Sequence, residues 1–226
     1  RLRVVPAPKY FVPDDENEYI LLKDCYTLSE AILSTENPND FTFYCNLFKF
    51  MNKNNAITIN FSNNSFGGGS AEQFLKTMIT DNNIILTICD SDKDFETSDL
   101  GSTAVTIARF FARNRNAPAY MEYYILPVRE KENLLPIECY ELFSDNSKKQ
   151  FIDSIKNFSC NEEFMKFIDI KSGFKLKKVN CECSTWHDLY DPYIDVCKSN
   201  NAYNEAATDD DDYCIKGIGG KLADRL

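Results

Sequence analysis

The run IILTICDSDKD, residues 84–94, decides how the rest of the chain is read. Its first six residues are almost continuously apolar and β-branched, the pattern of a strand covered on both faces. It ends abruptly on Asp90, with Asp92 and Asp94 close behind. In an open parallel sheet, functional groups gather beyond the carboxyl ends of the strands. The residues that follow the neighbouring strands therefore decide what this end of the molecule does.

Working outward, residues 31–33 (AIL) form a short strand candidate, and 56–61 (AITINF) a second. Between them Phe41, Tyr44, Leu47, Phe48 and Met51 recur at three and four residues, which predicts an amphipathic helix. Residues 63–70 (NNSFGGGS) read as a loop, and 71–79 as a helix capped by Ser70. Residues 103–111 read as a third helix and 123–126 as a fourth strand. The β-α-β-α-β-α-β order predicts an α/β fold, a mainly parallel sheet flanked by helices. Three segments result. Residues 1–25, with Pro6, Pro8, Pro13 and an acidic run, read as irregular. Residues 26–136 hold the α/β unit. Residues 137–226 read as a mainly helical extension, with helices over 137–143, 148–158 and 161–168 and a lysine-rich stretch at 171–178. A start at Arg1 reads as a removed leader or tag, and the glycine-rich end (Gly217, Gly219, Gly220) as a turn with more chain to follow.

Acids follow three of the four strands: Glu36 and Asp40, then Asp90 and Asp92, then Glu130 and Glu132. Carboxylates converging at close range repel one another unless a cation neutralises them. Hard oxygen donors suit Mg²⁺ or Mn²⁺, which activate water and stabilise charge on a phosphate. Gly68, Gly69 and Ser70 lie at the start of a helix, where backbone N–H groups bind anions such as phosphate.

The segments ILSTENPNDFTFY and ICDSDKD resemble the two acidic signatures of Toprim domains, and the glycine loop falls where such domains place one. VREKENLLP is similar to the Arg-Glu-x-Glu-Asn segment of Toprim nucleases of the overcoming-lysogenisation-defect (OLD) kind. The resemblance covers roughly residues 30–136. One departure stands out: the glycine usual after the first glutamate is Asn37 here, followed by Pro38. The resemblance implies Mg²⁺ (or Mn²⁺) held by Asp90 and Asp92. Glu36 would share the metal or act as general base, with Asp40, Glu130 and Glu132 completing the site around a second ion. It implies a metal-dependent endonuclease acting on DNA or RNA, an effector of bacterial anti-phage defence. Such nucleases often work with an ABC-type ATPase, here a separate chain, since no G-x-x-x-x-G-K-[ST] occurs. Two other readings stand beside it: a catalytically inactive Toprim-derived scaffold or regulatory subunit, and a small-molecule phosphohydrolase with Asp90 as nucleophile.

Composition narrows the remaining classes. The 226 residues are 43% hydrophobic, which excludes wholesale disorder. No apolar run approaches the ~20 residues that span a bilayer. Nine cysteines, an odd number without a leader, point to a reducing, cytoplasmic setting. Any histidine-dependent triad must pass through His187, the single histidine. Cys181, Cys183 and His187, with Cys197 and Cys214, are a zinc candidate weighed against ordinary packing. The acidic run 209–212 lacks the glycine and terminal glutamate of a calcium loop and reads as solvated. A net charge of -10 opposes simple nucleic-acid binding. Basic surface must come from Arg109, Arg113 and Arg115, from the lysine run, or from a partner, the reading preferred. Self-association is compatible with all of this.

Overall fold

The computed structural model describes residues 2–5, 18–21, 31–53, 60–67, 70–79, 83–117, 120–143 and 148–219. Along the chain, β1 (Leu2–Val5) and β2 (Glu18–Leu21) form a small parallel pair. The first 25 residues, expected to be irregular, thus contain two short strands. Then come β3 (Ile32–Thr35), α1 (Pro38–Met51), β4 (Ser62–Ser65), α2 (Ala71–Met78), β5 (Ile84–Cys89), α3 (Ser102–Arg113) and β6 (Tyr120–Ile125). A 3-10 turn over Lys131–Leu134 leads into α4 (Ile137–Phe143), α5 (Lys149–Lys156) and α6 (Glu162–Phe167). The extension ends with β7 (Gly173–Lys175), α7 (Leu176–Val179), α8 (Ser184–Ser199) and β8 (Tyr213–Lys216). It is mainly helical, and β7 and β8 add an antiparallel pair that the sequence pattern does not announce.

The central sheet is four-stranded and wholly parallel, in the order β4-β3-β5-β6. Alternation along β5 sorts its side chains between two layers. Ile85 and Cys89 pack beneath α2 and α3 with Leu75, Ala104, Ile107 and Phe110. Leu86 and Ile88 turn to the opposite layer, against Phe43 and Tyr44 of α1. Both faces are covered, which explains the unbroken apolar run that identified this strand.

One strand differs from its sequence reading. Of residues 56–61, those at 56–59 lie outside the described residues, and β4 begins only at Ser62 and runs into the polar stretch read as loop. Its content is Ser-Asn-Asn-Ser, with no β-branched residue. Pairing with β3 makes the strand: Ser62 N–H donates to the Ala31 carbonyl at 2.9 Å, and the register runs from Ile32–Ser62 to Thr35–Ser65. At a sheet edge the ladder, rather than burial, organises such a segment.

The strand order sets the site. From β3 the chain moves outward to β4, then crosses back to β5 and on to β6. Connections leave the adjacent strands β3 and β5 in opposite directions. Between their carboxyl ends lies a topological switch point, where open α/β sheets leave a crevice. Ser34 stands opposite Thr87, so Glu36 emerges level with Cys89, one residue before Asp90. The extension has its own core, in which Phe164, Trp186, Tyr190 and Tyr193 pack with Phe174 and Ile215. Phe95 and Leu135 pack against that core from the α/β side. No helix among the described residues is long and apolar enough to cross a membrane.

Candidate functional site

Glu36, Asp40, Asp90, Asp92 and Glu132 act on one another electrostatically at the switch point, and Glu130 joins them through Glu132. Local structure places each one. Asn37 is the N-cap of α1, and its side-chain oxygen accepts from the backbone N–H of Asn39 and of Asp40. It sits in extended backbone, φ -144°, so no glycine is needed there. Its amide also donates to Asp40 Oδ2 at 2.7 Å, fixing that carboxylate in the first turn.

The Asp90–Asp92 segment is fastened to the loop after β6. Ser91 and Asp92 both donate backbone N–H groups to the Arg129 carbonyl, at 3.0 and 2.9 Å. Ser91 Oγ, buried, donates to the Val128 carbonyl at 2.7 Å. Asp92 adopts φ +53°, a left-handed conformation that aspartate tolerates better than most residues. Its carboxylate lies over Gly101, where any Cβ would overlap it. Glycine before α3 is therefore a requirement of Asp92's position.

Glu130 opens the 3-10 turn in a reciprocal capping arrangement with Asn133, whose amide also donates to the Met165 and Ile168 carbonyls, both at 2.9 Å. The extension answers with Lys171, whose backbone N–H donates to Glu130 Oε1 at 3.1 Å. Lys131 turns inward: its N–H donates to Asp90 Oδ1 at 3.1 Å, and its ammonium lies 2.8 Å from Asp40 Oδ1. Glu132 is 1% exposed, and neither of its carboxylate oxygens has a hydrogen-bond partner.

The electrostatics follow from burial and crowding. Asp90 is pushed up to about 8 by desolvation, then by Asp40, Glu132, Asp92 and Glu36. Glu36 is raised by burial, then by Asp92 and Asp40. Burial also raises Asp92, Glu130 and Glu132, with Asp169 and Glu132 adding to the rise at Glu130. For the Lys171 ammonium burial works the other way, but the summed field of Glu132, Glu130, Asp90 and Asp40 keeps it charged and raises its pKa.

These are hard, oxygen-only donors of the type Mg²⁺ and Mn²⁺ take, and the two Glu132 oxygens are buried without a hydrogen-bond partner. The residues thus fit a divalent ion in chemistry and charge. Among the described residues, no three His, Cys, Asp or Glu side chains stand together as ready-made ligands. Lys131 and Lys171 supply the nearest cations in the arrangement described.

Other sequence candidates fare differently. Gly68 and Gly69 lie outside the described residues. Ser70 precedes α2 without capping it: its hydroxyl donates to the Phe66 and Gly67 carbonyls, the latter at 2.9 Å. His187 has both ring nitrogens engaged, Nδ1 with Asp191 at 2.9 Å and Nε2 with the Cys181 carbonyl at 2.6 Å, and these partners favour its charged form. That geometry removes it from a zinc set. The eight described cysteines are free thiols. Arg109 and Arg113 lie in the later turns of α3 and Arg115 just beyond it. A crossover helix runs antiparallel to its strands, so these three sit toward the opposite rim from the carboxylates.

Sequence reading missed the extension's share of the site. Arg129 N–H donates to the Lys166 carbonyl at 2.8 Å, and its guanidinium bridges Asp94 at 2.7 Å and Asp169 at 3.2 Å. Tyr190 of α8 donates to the Asp94 carbonyl at 2.6 Å. Asp169 and Lys171 fall between α6 and β7, and the sequence leaves the lysines of 171–178 between a nucleic-acid contact and a plain exposed face. Only the unusual density of charge there was a signal. No family model, curated protein or solved structure matches the chain.

Proposed function

We propose that this chain is a metal-dependent nuclease with a Toprim-like site, cleaving phosphodiester bonds in DNA or RNA. One observation supports the reading most: Glu36 and Asp40 after β3, Asp90 and Asp92 after β5, and Glu130 and Glu132 after β6 are linked electrostatically around the switch point of a parallel sheet. Asp90, Asp92 and Glu36 are the residues proposed to hold Mg²⁺ or Mn²⁺, which when bound would polarise the phosphate and acidify water. Glu36, half-buried beside Asp92 and Asp40, would share the metal or act as general base on the attacking water. Asp40 orients Lys131, and Glu130 holds the 3-10 turn against the Lys171 backbone. The Lys171 ammonium faces the same acids and is placed to meet negative charge on the scissile phosphate.

The role in anti-phage defence and the control by a separate ABC-type ATPase rest on the family resemblance. Copurification from the native host, then assay with and without the associated chain, tests both. A second reading, the inactive scaffold, draws on Lys131: an ammonium already paired with Asp40 balances part of the charge a metal would balance. The phosphohydrolase reading needs Asp90 as the nucleophile, and the absence of a trapped aspartyl-phosphate would argue against it.

The deciding experiment incubates the purified chain with labelled DNA and RNA, with Mg²⁺ or Mn²⁺ and with chelator. Glu36→Gln and Asp90→Asn are each expected to lower metal-dependent cleavage at least a hundredfold with the circular dichroism unchanged. Undiminished cleavage by the double variant would discard the assignment.

A further inference from the structure

Beside the carboxylates, and sharing Asp92 with them, lies an open cavity of about 300 Å³. Arg129, Lys175, Lys177, Lys178 and Tyr213 line it, together with Asp94 and Asp169. In a chain of net charge -10, four cations beside three aspartates on one small concavity run against the overall balance. Their partners explain how this is tolerated. Lys175 and Lys177 both reach the same oxygen of Asp211, at 3.1 and 2.9 Å, while Lys178 pairs with Asp94. Asp211 belongs to the acidic run 209–212, which is held against the start of α7 by its backbone. Leu176 N–H donates to the Asp212 carbonyl at 2.8 Å, and Lys177 N–H to the Asp210 carbonyl at 3.0 Å.

We infer that this cavity is the path of a nucleic-acid strand into the carboxylate site, and that Asp211 occupies the place of a backbone phosphate until a strand displaces it. Three features carry the inference. A single oxygen shared by two ammonium groups is the coordination a phosphate oxygen receives from lysines. Asp211 is 70% exposed, so its ion pairs are weak and exchangeable. Tyr213, with the Lys175 ammonium 5.6 Å from its ring centre, adds an aromatic face beside the lysines, and basic grooves with aromatic platforms suit unpaired strands. The volume accommodates about one nucleotide, the scale of a small-ligand cleft. This deepens the nuclease reading and depends on it for the direction in which the strand runs.

The test measures binding of a fluorescein-labelled single-stranded oligonucleotide to the full chain by anisotropy, with chelator present so that no metal-dependent cleavage intervenes. Lys175→Ala with Lys177→Ala is expected to weaken binding at least tenfold. It should also flatten the slope of log affinity against log salt by about 1.5, at roughly 0.7 per single-strand phosphate contact. Asp211→Asn is expected to tighten binding severalfold at low salt, a gain that misfolding cannot imitate. Unchanged affinity in the lysine variant, or in Asp211→Asn, overturns the inference, as does absence of binding by the wild-type chain. If Glu36→Gln abolishes cleavage yet keeps strand binding, both readings stand. If the wild-type chain binds as described but never cleaves, the nuclease reading fails and the groove survives.

Discussion

Lys131 Nζ lies 2.8 Å from Asp40 Oδ1, with the two side chains only 5% and 10% exposed. A pair so enclosed has lost most of its hydration, and each charge now depends on the other. The same lysine donates its backbone N–H to Asp90. One residue after β6 is thereby tied to the acids that follow β3 and β5.

Lys131→Met should therefore be strongly destabilising, by about 3–5 kcal/mol, because Asp40 is left buried without its counter-charge. Adding Asp40→Asn should restore a large part of that loss. Urea unfolding of the three variants gives the comparison, and additive losses would contradict the pairing.

The carboxylate pKa values set a pH dependence. Asp90 sits at about 8 in the folded chain, far above its usual range, and Glu36, Asp92, Glu130 and Glu132 are raised too. Groups raised by folding stabilise it below their unfolded pKa, and that contribution is lost as pH climbs through the folded value. Without divalent ions, the melting temperature should fall as pH rises from about 4 to about 8. Added Mg²⁺ should act in the opposite sense, stabilising more as pH rises, since it binds the deprotonated acids. Thermal melts across that range, with and without Mg²⁺, test both slopes.

Glu132 combines deep burial with two unpartnered oxygens. Glu132→Gln removes a buried charge and should raise the metal-free melting temperature, by a few degrees on the scale of one kcal/mol. It should also diminish the Mg²⁺-induced shift and the cleavage rate. A variant that is less stable and equally responsive to Mg²⁺ would exclude Glu132 from the site.

Gly101→Ala places a methyl group where Asp92's carboxylate rests. Crowding of this kind costs about 1–3 kcal/mol. Metal-dependent cleavage should drop at least tenfold, while Ser102→Ala, at the exposed next position, should leave it unchanged. Equal activity in both variants would mean that Asp92's placement is immaterial.

Legibility in the sequence followed the strength of each physical signal. β5 was read to the residue because burial on both faces makes its apolar run continuous. β4 was displaced because SNNS contains no strand-forming side chain, and its order comes from pairing to β3. Glu36, Asp90 and Glu132 were legible because strand ends in a parallel sheet converge by topology alone. Lys131, Lys171 and Asp169 were not: whether a lysine or aspartate turns toward solvent or toward the acids depends on tertiary packing. Asn37 was read as a departure from a glycine turn, and only the cap geometry reveals why asparagine serves there.

The border near residue 136 is no seam. Arg129 hangs from the Lys166 carbonyl, and Glu130 from the Lys171 amide, so the last loop of the sheet is suspended between two units. A chain cut there would be short of a wall, with its acids left facing open water. Conversely, any tug on α6 would be felt at Asp92 within two hydrogen bonds, which makes the extension a handle as much as a cover.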